Sequence, residues 1–174
     1  HRFPGPEVQV IIGPSDQLEQ KLLNNELDFA LIEGVSHVPS FVSEEYMEDS
    51  LVVIGPADGR FQPGQPISID EFRQQKFLLR ERGSGTRETF ERVIEEAGFS
   101  VSPIWEAMST TALVNAVING IGISVLPYRM VTEPLERGLV VAVPVKGLNF
   151  RRKFHIIYHK EKFLTSSAKA FLDI

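Results

Sequence analysis

Gly83, Ser84, Gly85 and Thr86 lie between a short apolar run at 76–79 and an amphipathic stretch at 86–97. A strand that turns into a helix at such a loop leaves the first backbone N–H groups of the helix without intrahelical acceptors, and the positive end of the helix dipole points the same way. Those donors suit a carboxylate, phosphate or sulfate. Ser109 and Thr110 repeat the arrangement at the start of a second helical stretch, 110–119. Their hydroxyls either donate to a bound anion or cap their own helix. Each site taken singly reads equally well as helix capping. Two in succession favour a ligand, because small molecules in an open α/β sheet sit off the carboxyl ends of the strands, where both segments fall.

Other chemistries are excluded by the same residues. Gly83 and Gly85 begin a G-x-G-x-x-G pattern, but position 88 is Glu rather than the third glycine of a dinucleotide fingerprint, and no Lys-Ser or Lys-Thr follows to make a Walker loop. His155 and His159 share a face of a strand-like segment, roughly 13 Å apart by strand rise, too far for one metal ion. Glu33 follows the strand-like run 28–32 and reads either as a cleft residue meeting an amine or a water, or as a solvated loop carboxylate. There is no G-x-S-x-G elbow, no H-E-x-x-H pair and no candidate base near Ser84 in sequence, so no enzyme is expected. The absence of cysteine removes disulfides, thiolate metal sites and cysteine nucleophiles together.

An alternation of strands and helices positions these loops. The β-branched run 8–12, closed by Gly13 and Pro14, predicts a strand. A helix should follow, capped by Ser15 or Asp16, with Leu18 and Leu22 on one face and Asn24-Asn25 as its stop. A strand at 28–32 would then pair in parallel with the first through this crossover. Strands at 41–46 and 51–54 precede a change in composition at Gly55-Pro56, Pro63, Gly64 and Pro66, where a lobe boundary is expected. Beyond it, strands at 76–79, 103–108, 123–126 and 140–145 alternate with helices at 86–97 and 110–119. Gly120 reads as a left-handed helix stop and Gly122 as relief of crowding before a buried strand. A strand at 153–159 and a helix from 166 to 174 complete an α/β pattern. Helix 110–119 carries Val114 and Ile118 beside Leu113 and Val117, an arc wider than one core contact needs, so a second molecule is expected to cover the surplus.

With 174 residues, 43% of them hydrophobic, the chain can bury a real core. A net charge of −5 argues against a broad nucleic-acid surface, which needs Lys and Arg in clustered excess. Apolar stretches such as 8–12 and 121–126 are too short to span a bilayer, and no basic-then-apolar signal segment opens the chain, so a soluble protein without membrane partners is expected.

Three segments taken together carry a resemblance: Arg80-Glu81-Arg82-Gly83-Ser84-Gly85-Thr86-Arg87 with Phe90-Glu91; Ser109-Thr110-Thr111-Ala112-Leu113-Val114 through Gly120-Ile121-Gly122-Ile123 to Leu126-Pro127; and Leu27-Asp28-Phe29-Ala30-Leu31-Ile32. In this order and spacing the chain resembles the effector-binding domain of LysR-type bacterial transcriptional regulators. The first string resembles that of regulators of carbon fixation and sulfur assimilation.

The resemblance implies two Rossmann-like α/β lobes joined by two crossing strands, as in type II periplasmic binding proteins. Lobe I would comprise 1–58 and 151–174, and lobe II 59–150. It further implies a small, anionic metabolite in the inter-lobe cleft, contacted by Ser109, Thr110, Ser84, Gly85, Thr86, Arg82, Glu33 and His159, with no cofactor and no metal. The partners implied are a second copy in a homodimer or tetramer, and DNA only through a domain absent from this chain, in a cytoplasmic protein. The alternative within the same fold is a stand-alone solute-binding protein of a transporter. The family's effector domain normally begins with a strand and helix ahead of 8–12. His1-Arg2-Phe3-Pro4-Gly5-Pro6 resembles the tail of that helix, so the chain is expected to be a fragment lacking them and the DNA-binding domain.

Overall fold

A computed structural model describes residues 8–34 and 36–172. In chain order its elements are α1 (Ser15–Leu23), β1 (Ala30–Glu33), β2 (Phe41–Pro56), α2 (Ile69–Arg73), β3 (Phe77–Arg80), α3 (Gly85–Glu96), β4 (Pro103–Ala107), α4 (Thr110–Ile118), β5 (Ile123–Pro127), α5 (Tyr128–Glu136), β6 (Val140–Ala142), β7 (Arg151–His159) and α6 (Ser166–Leu172). The chain forms two compact units, His1–Met47 with Lys153–Ile174, and Glu48–Arg152. It therefore crosses twice between them, within β2 and within β7. The two strands expected at 41–46 and 51–54 are one continuous strand.

The first unit is built on β1 and β7, which pair antiparallel with Ala30 opposite Ile157 and Glu33 opposite Phe154. Leu18 and Leu22 of α1 cover this sheet as the spacing predicts, packing with Ala30, Ile32, Phe41 and Ile157. Pro14, rather than Ser15 or Asp16, occupies the N-cap position, and no side chain caps α1. The strand expected at 8–12 does not form: these residues carry no regular structure, and Ile12 is 95% exposed. A β-branched run becomes a strand only where a neighbour satisfies its N–H and C=O groups, and none pairs with it among the described residues. The parallel pairing expected between 8–12 and 28–32 is absent with it. The helix tail read at 1–6 and the last residues of the expected helix to 174 lie outside the described residues.

The second unit is an open α/β sheet in which β2, β5, β3 and β4 lie side by side, with β6 also pairing to β2. Both neighbours of β3 run parallel to it, whereas β2 runs antiparallel to β5 and β6. Side chains alternate between two cores, as the pleat requires. Phe77 and Leu79 join Phe72, Phe90, Val93 and Ile94 on one face, where α2 and α3 pack. Leu78 joins Leu113, Val114, Val117 and Val131 on the other, under α4 and α5. The wide apolar arc of α4 is thus covered inside the unit, by the sheet and by Val131 and Leu135 of α5, and needs no second molecule. Gly120 takes a left-handed φ of 73° just after α4. At Gly122 a Cβ would lie 2.2 Å from the Lys76 carbonyl oxygen, which accepts the Ile123 N–H at 2.9 Å.

Candidate functional site at the carboxyl ends of two parallel strands

The register between β3 and β4 sets Arg80 opposite Ala107, so the two strands end level with one another. Neighbouring strands lie about 4.8 Å apart, and the chain leaving each turns directly into a helix. From β3 it enters α3 on one face, whereas from β4 it enters α4 on the other. Connections that depart to opposite faces from adjacent strands open a crevice at the sheet edge, which is where α/β folds hold ligands.

On the β3 side, Ser84 is the N-cap of α3 with extended backbone, and its carbonyl accepts the Glu88 N–H at 2.9 Å. The ladder therefore begins at Glu88, leaving the N–H groups of Gly85, Thr86 and Arg87 as its open end. The Ser84 side chain makes no capping bond. Arg82 is exposed in the preceding turn and makes no ion pair among the described residues, so it offers positive charge to an approaching anion. Arg80 and Glu81 instead neutralise one another at 2.8 Å, and the hydrogen bonds from Arg80 hold the Glu81 carboxyl below the usual glutamate range.

On the β4 side, Ser109 caps α4. Its Oγ accepts the Ala112 N–H at 3.2 Å and its carbonyl accepts the Leu113 N–H. The capping role is thus occupied, but the hydroxyl proton remains available as a donor. Thr110 begins the helix, half-buried, beside it.

Three charged residues that hold this corner together lay beyond sequence reasoning. The Arg87 side chain, 2% exposed, ties the end of β3 to the first turn of α3 by donating to the Arg80 carbonyl at 3.1 Å and pairing with Glu91. Arg152 and Asp49 form a buried ion pair at 2.7 Å, and Arg152 also donates to Thr86 Oγ1 at 3.3 Å. Thr86 itself is 4% exposed.

Of the residues expected to contact an effector, Arg82, Ser84, Gly85, Thr86, Ser109 and Thr110 gather at the ends of β3 and β4. Glu33 and His159 belong to the first unit and do not meet. Glu33 lies at the end of β1 opposite Phe154, whereas His159 lies beyond the Ile157–Ala30 pair at the opposite end of the same ladder. His159 accepts the Glu161 N–H through Nδ1 and sets its ring edge-on to Phe41. Among the described residues no cluster of His, Asp or Glu is placed to hold a metal, and no helix is long and apolar enough to cross a membrane.

The family model described as the LysR substrate binding domain matches residues 1–174, the whole chain. The chain belongs to the LysR substrate-binding domain family. Its fold is accordingly the α/β, type II periplasmic-binding-protein-like one. This LysR domain is 30% identical over 173 residues to the HTH-type transcriptional regulator YeiE of Escherichia coli (strain K12), covering 99% of the domain and 59% of that protein. It is 29% identical to the RuBisCO operon transcriptional regulator of Allochromatium vinosum, covering 99% of the domain and 57% of the relative. The domain thus spans well under two thirds of the length of these relatives. In structure it matches the regulatory domain of Synechocystis PCC6803 CcmR, solved in complex with 2-PG, with a TM-score of 0.86 at 24% identity, covering 99% of the domain and 83% of that chain.

Proposed function

We propose that this domain is the effector sensor of a LysR-type transcriptional regulator and that a small anion binds at the paired helix starts after β3 and β4. The observation that carries the reading is the level ending of two adjacent parallel strands whose helices depart to opposite faces. Unladdered N–H groups, the Ser84 and Ser109 hydroxyls and the exposed Arg82 then belong to the same end of the sheet. A negative charge there gains from both helix dipoles and from charge-assisted hydrogen bonds, each contributing about 1.5–3 kcal/mol. His159 enters the proposal only through the family resemblance, and Glu33 only through its place at the end of β1. Binding would bias an equilibrium between domain conformations, and DNA-binding domains elsewhere in a cytoplasmic regulator would read the change. The regulator names of the relatives favour this over a transporter's solute-binding protein, and no catalytic turnover or cofactor is part of it.

Titration with a panel of phosphate, sulfate and small carboxylates, in wild type and Ser109→Ala, tests the site. Loss of the cap alone should lower stability by ~1 kcal/mol and leave affinity unchanged. Loss of an effector contact should also weaken the best anion by roughly tenfold or more. Equal dissociation constants would remove Ser109 from the site.

A second copy is proposed to cover the exposed apolar run of Val8, Val10, Ile11 and Ile12, giving an antiparallel homodimer or a tetramer built from it. Sedimentation should show self-association that Ile12→Asp abolishes without loss of helical content. A wild-type monomer at high micromolar concentration would contradict this.

A further inference from the structure

The ion pair behind Thr86 does more than neutralise itself. Arg152 donates to one Asp49 oxygen through both Nε and Nη2, at 2.9 and 2.7 Å, and the two side chains are each 6% exposed. Its remaining arm, Nη1, reaches Thr86 Oγ1. A guanidinium can only donate. It therefore fills an acceptor position on the Thr86 hydroxyl, whose own proton has no acceptor among the described residues. Thr86 is the second residue of α3, so this proton stands at the same helix end as the unladdered N–H groups. A threonine hydroxyl left to itself gives or takes a hydrogen bond equally well. One that already accepts from a buried arginine is biased towards giving.

We propose that Arg152, anchored by Asp49, is a positioning residue of the effector site: it holds Thr86 as a hydrogen-bond donor at the start of α3, so the site selects ligand oxygens that accept. The inference rests on the anion reading above, and Arg152 acts on the ligand only through Thr86. An arginine is required because its fork spans the carboxylate and the hydroxyl together, which a lysine ammonium on a flexible stem does not reproduce.

The test is a double-mutant cycle read as dissociation constants for inorganic phosphate and inorganic sulfate, measured by calorimetry on the whole chain. Arg152→Lys should weaken phosphate by about fivefold or more when Thr86 is present, and by less than about twofold in a Thr86→Val background. Thr86→Ser, which keeps the hydroxyl, should restore the dependence on Arg152. Should Arg152→Lys fail to fold, the paired change Arg152→Met with Asp49→Leu removes both charges without leaving either buried alone, and it should show the same dependence on Thr86. Equal weakening with and without the Thr86 hydroxyl, or undiminished affinity in a folded Arg152 variant, overturns the inference while leaving the anion site intact. A wild-type chain that binds none of phosphate, sulfate and the small carboxylates overturns the anion reading and this inference with it; where only a carboxylate binds, the cycle is read with that carboxylate.

Discussion

Asp49→Ala should destabilise the second unit by about 3–5 kcal/mol, because it removes a buried carboxylate that accepts two charge-assisted hydrogen bonds from Arg152. Both side chains are 6% exposed, so water cannot replace the lost partner. The contrast with surface pairs is direct. Arg92 with Glu96 and Arg137 with Glu133 are i,i+4 pairs whose side chains are more than half exposed, and such pairs contribute about 0.3–0.5 kcal/mol. Removing both buried charges, by Arg152→Met with Asp49→Leu, should be milder than removing one, since the charge that Asp49 compensates goes with it. Urea unfolding of wild type and the two variants checks this, with the midpoint falling for Asp49→Ala while the m-value is kept. A loss below about 1 kcal/mol for Asp49→Ala would mean that solvent reaches the pair in solution. Asp49 and Arg152 both lie at the ends of this unit's stretch of chain, so one interaction ties the β2 and β7 residues of the unit to each other.

What the sequence revealed and what it hid separate by the range of the interactions. The run from β3 through α3, β4 and α4 to β5 was legible to within one or two residues, because each piece carries a local signal: Phe90, Val93 and Ile94 on one helical stripe, Gly98 and Gly120 as stops, and short apolar strands between. The loops at Ser84 and Ser109 were legible for the same reason, being what must join such elements. Arg152 and Asp49 were not, since they are 103 residues apart and Asp49 follows Glu44, Glu45 and Glu48 in what reads as a solvated charged segment. The charges hid the continuity of β2 as well. α5 carries Pro134 within it, which argues locally against a helix, yet α5 is what covers the surplus apolar arc of α4. The run 8–12 failed in the opposite direction. Its local signal is strong, but strand formation is a property of a pair, and the described residues supply no second member.

Phe72→Ala should cost about 3–5 kcal/mol, as expected for emptying a fully buried aromatic position. The residue is 0% exposed and sits among four other rings, with centroids 5.0 Å from Phe77, 6.5 Å from Phe90 and 6.4 Å from both Phe99 and Phe150. It belongs to α2, a helix of five residues, far shorter than a helix that persists by its own propensity. Two things hold α2 in place. One is the capping box, in which Ser68 Oγ accepts the Glu71 N–H while the Glu71 carboxylate accepts the Ser68 N–H. The other is the insertion of Phe72 itself. Truncation should therefore release α2 from the sheet face as well as leave a cavity, and hydrogen exchange at 69–75 should rise more than elsewhere in the unit. Phe72→Leu keeps much of the apolar volume and should lose less than Phe72→Ala does. The same variants separate stability from binding. α3 rests on this cluster through Phe90 but also through Val93 and Ile94, so its amino-terminal end should stay in place while the domain remains folded. Phe72→Ala should thus lower the unfolding midpoint and leave the dissociation constant for the best anion within about twofold of wild type at temperatures where the domain is folded, whereas Ser109→Ala should lose affinity by roughly tenfold for only ~1 kcal/mol of stability. A parallel loss of affinity in Phe72→Ala would show instead that the anion site depends on packing far from the helix ends that form it.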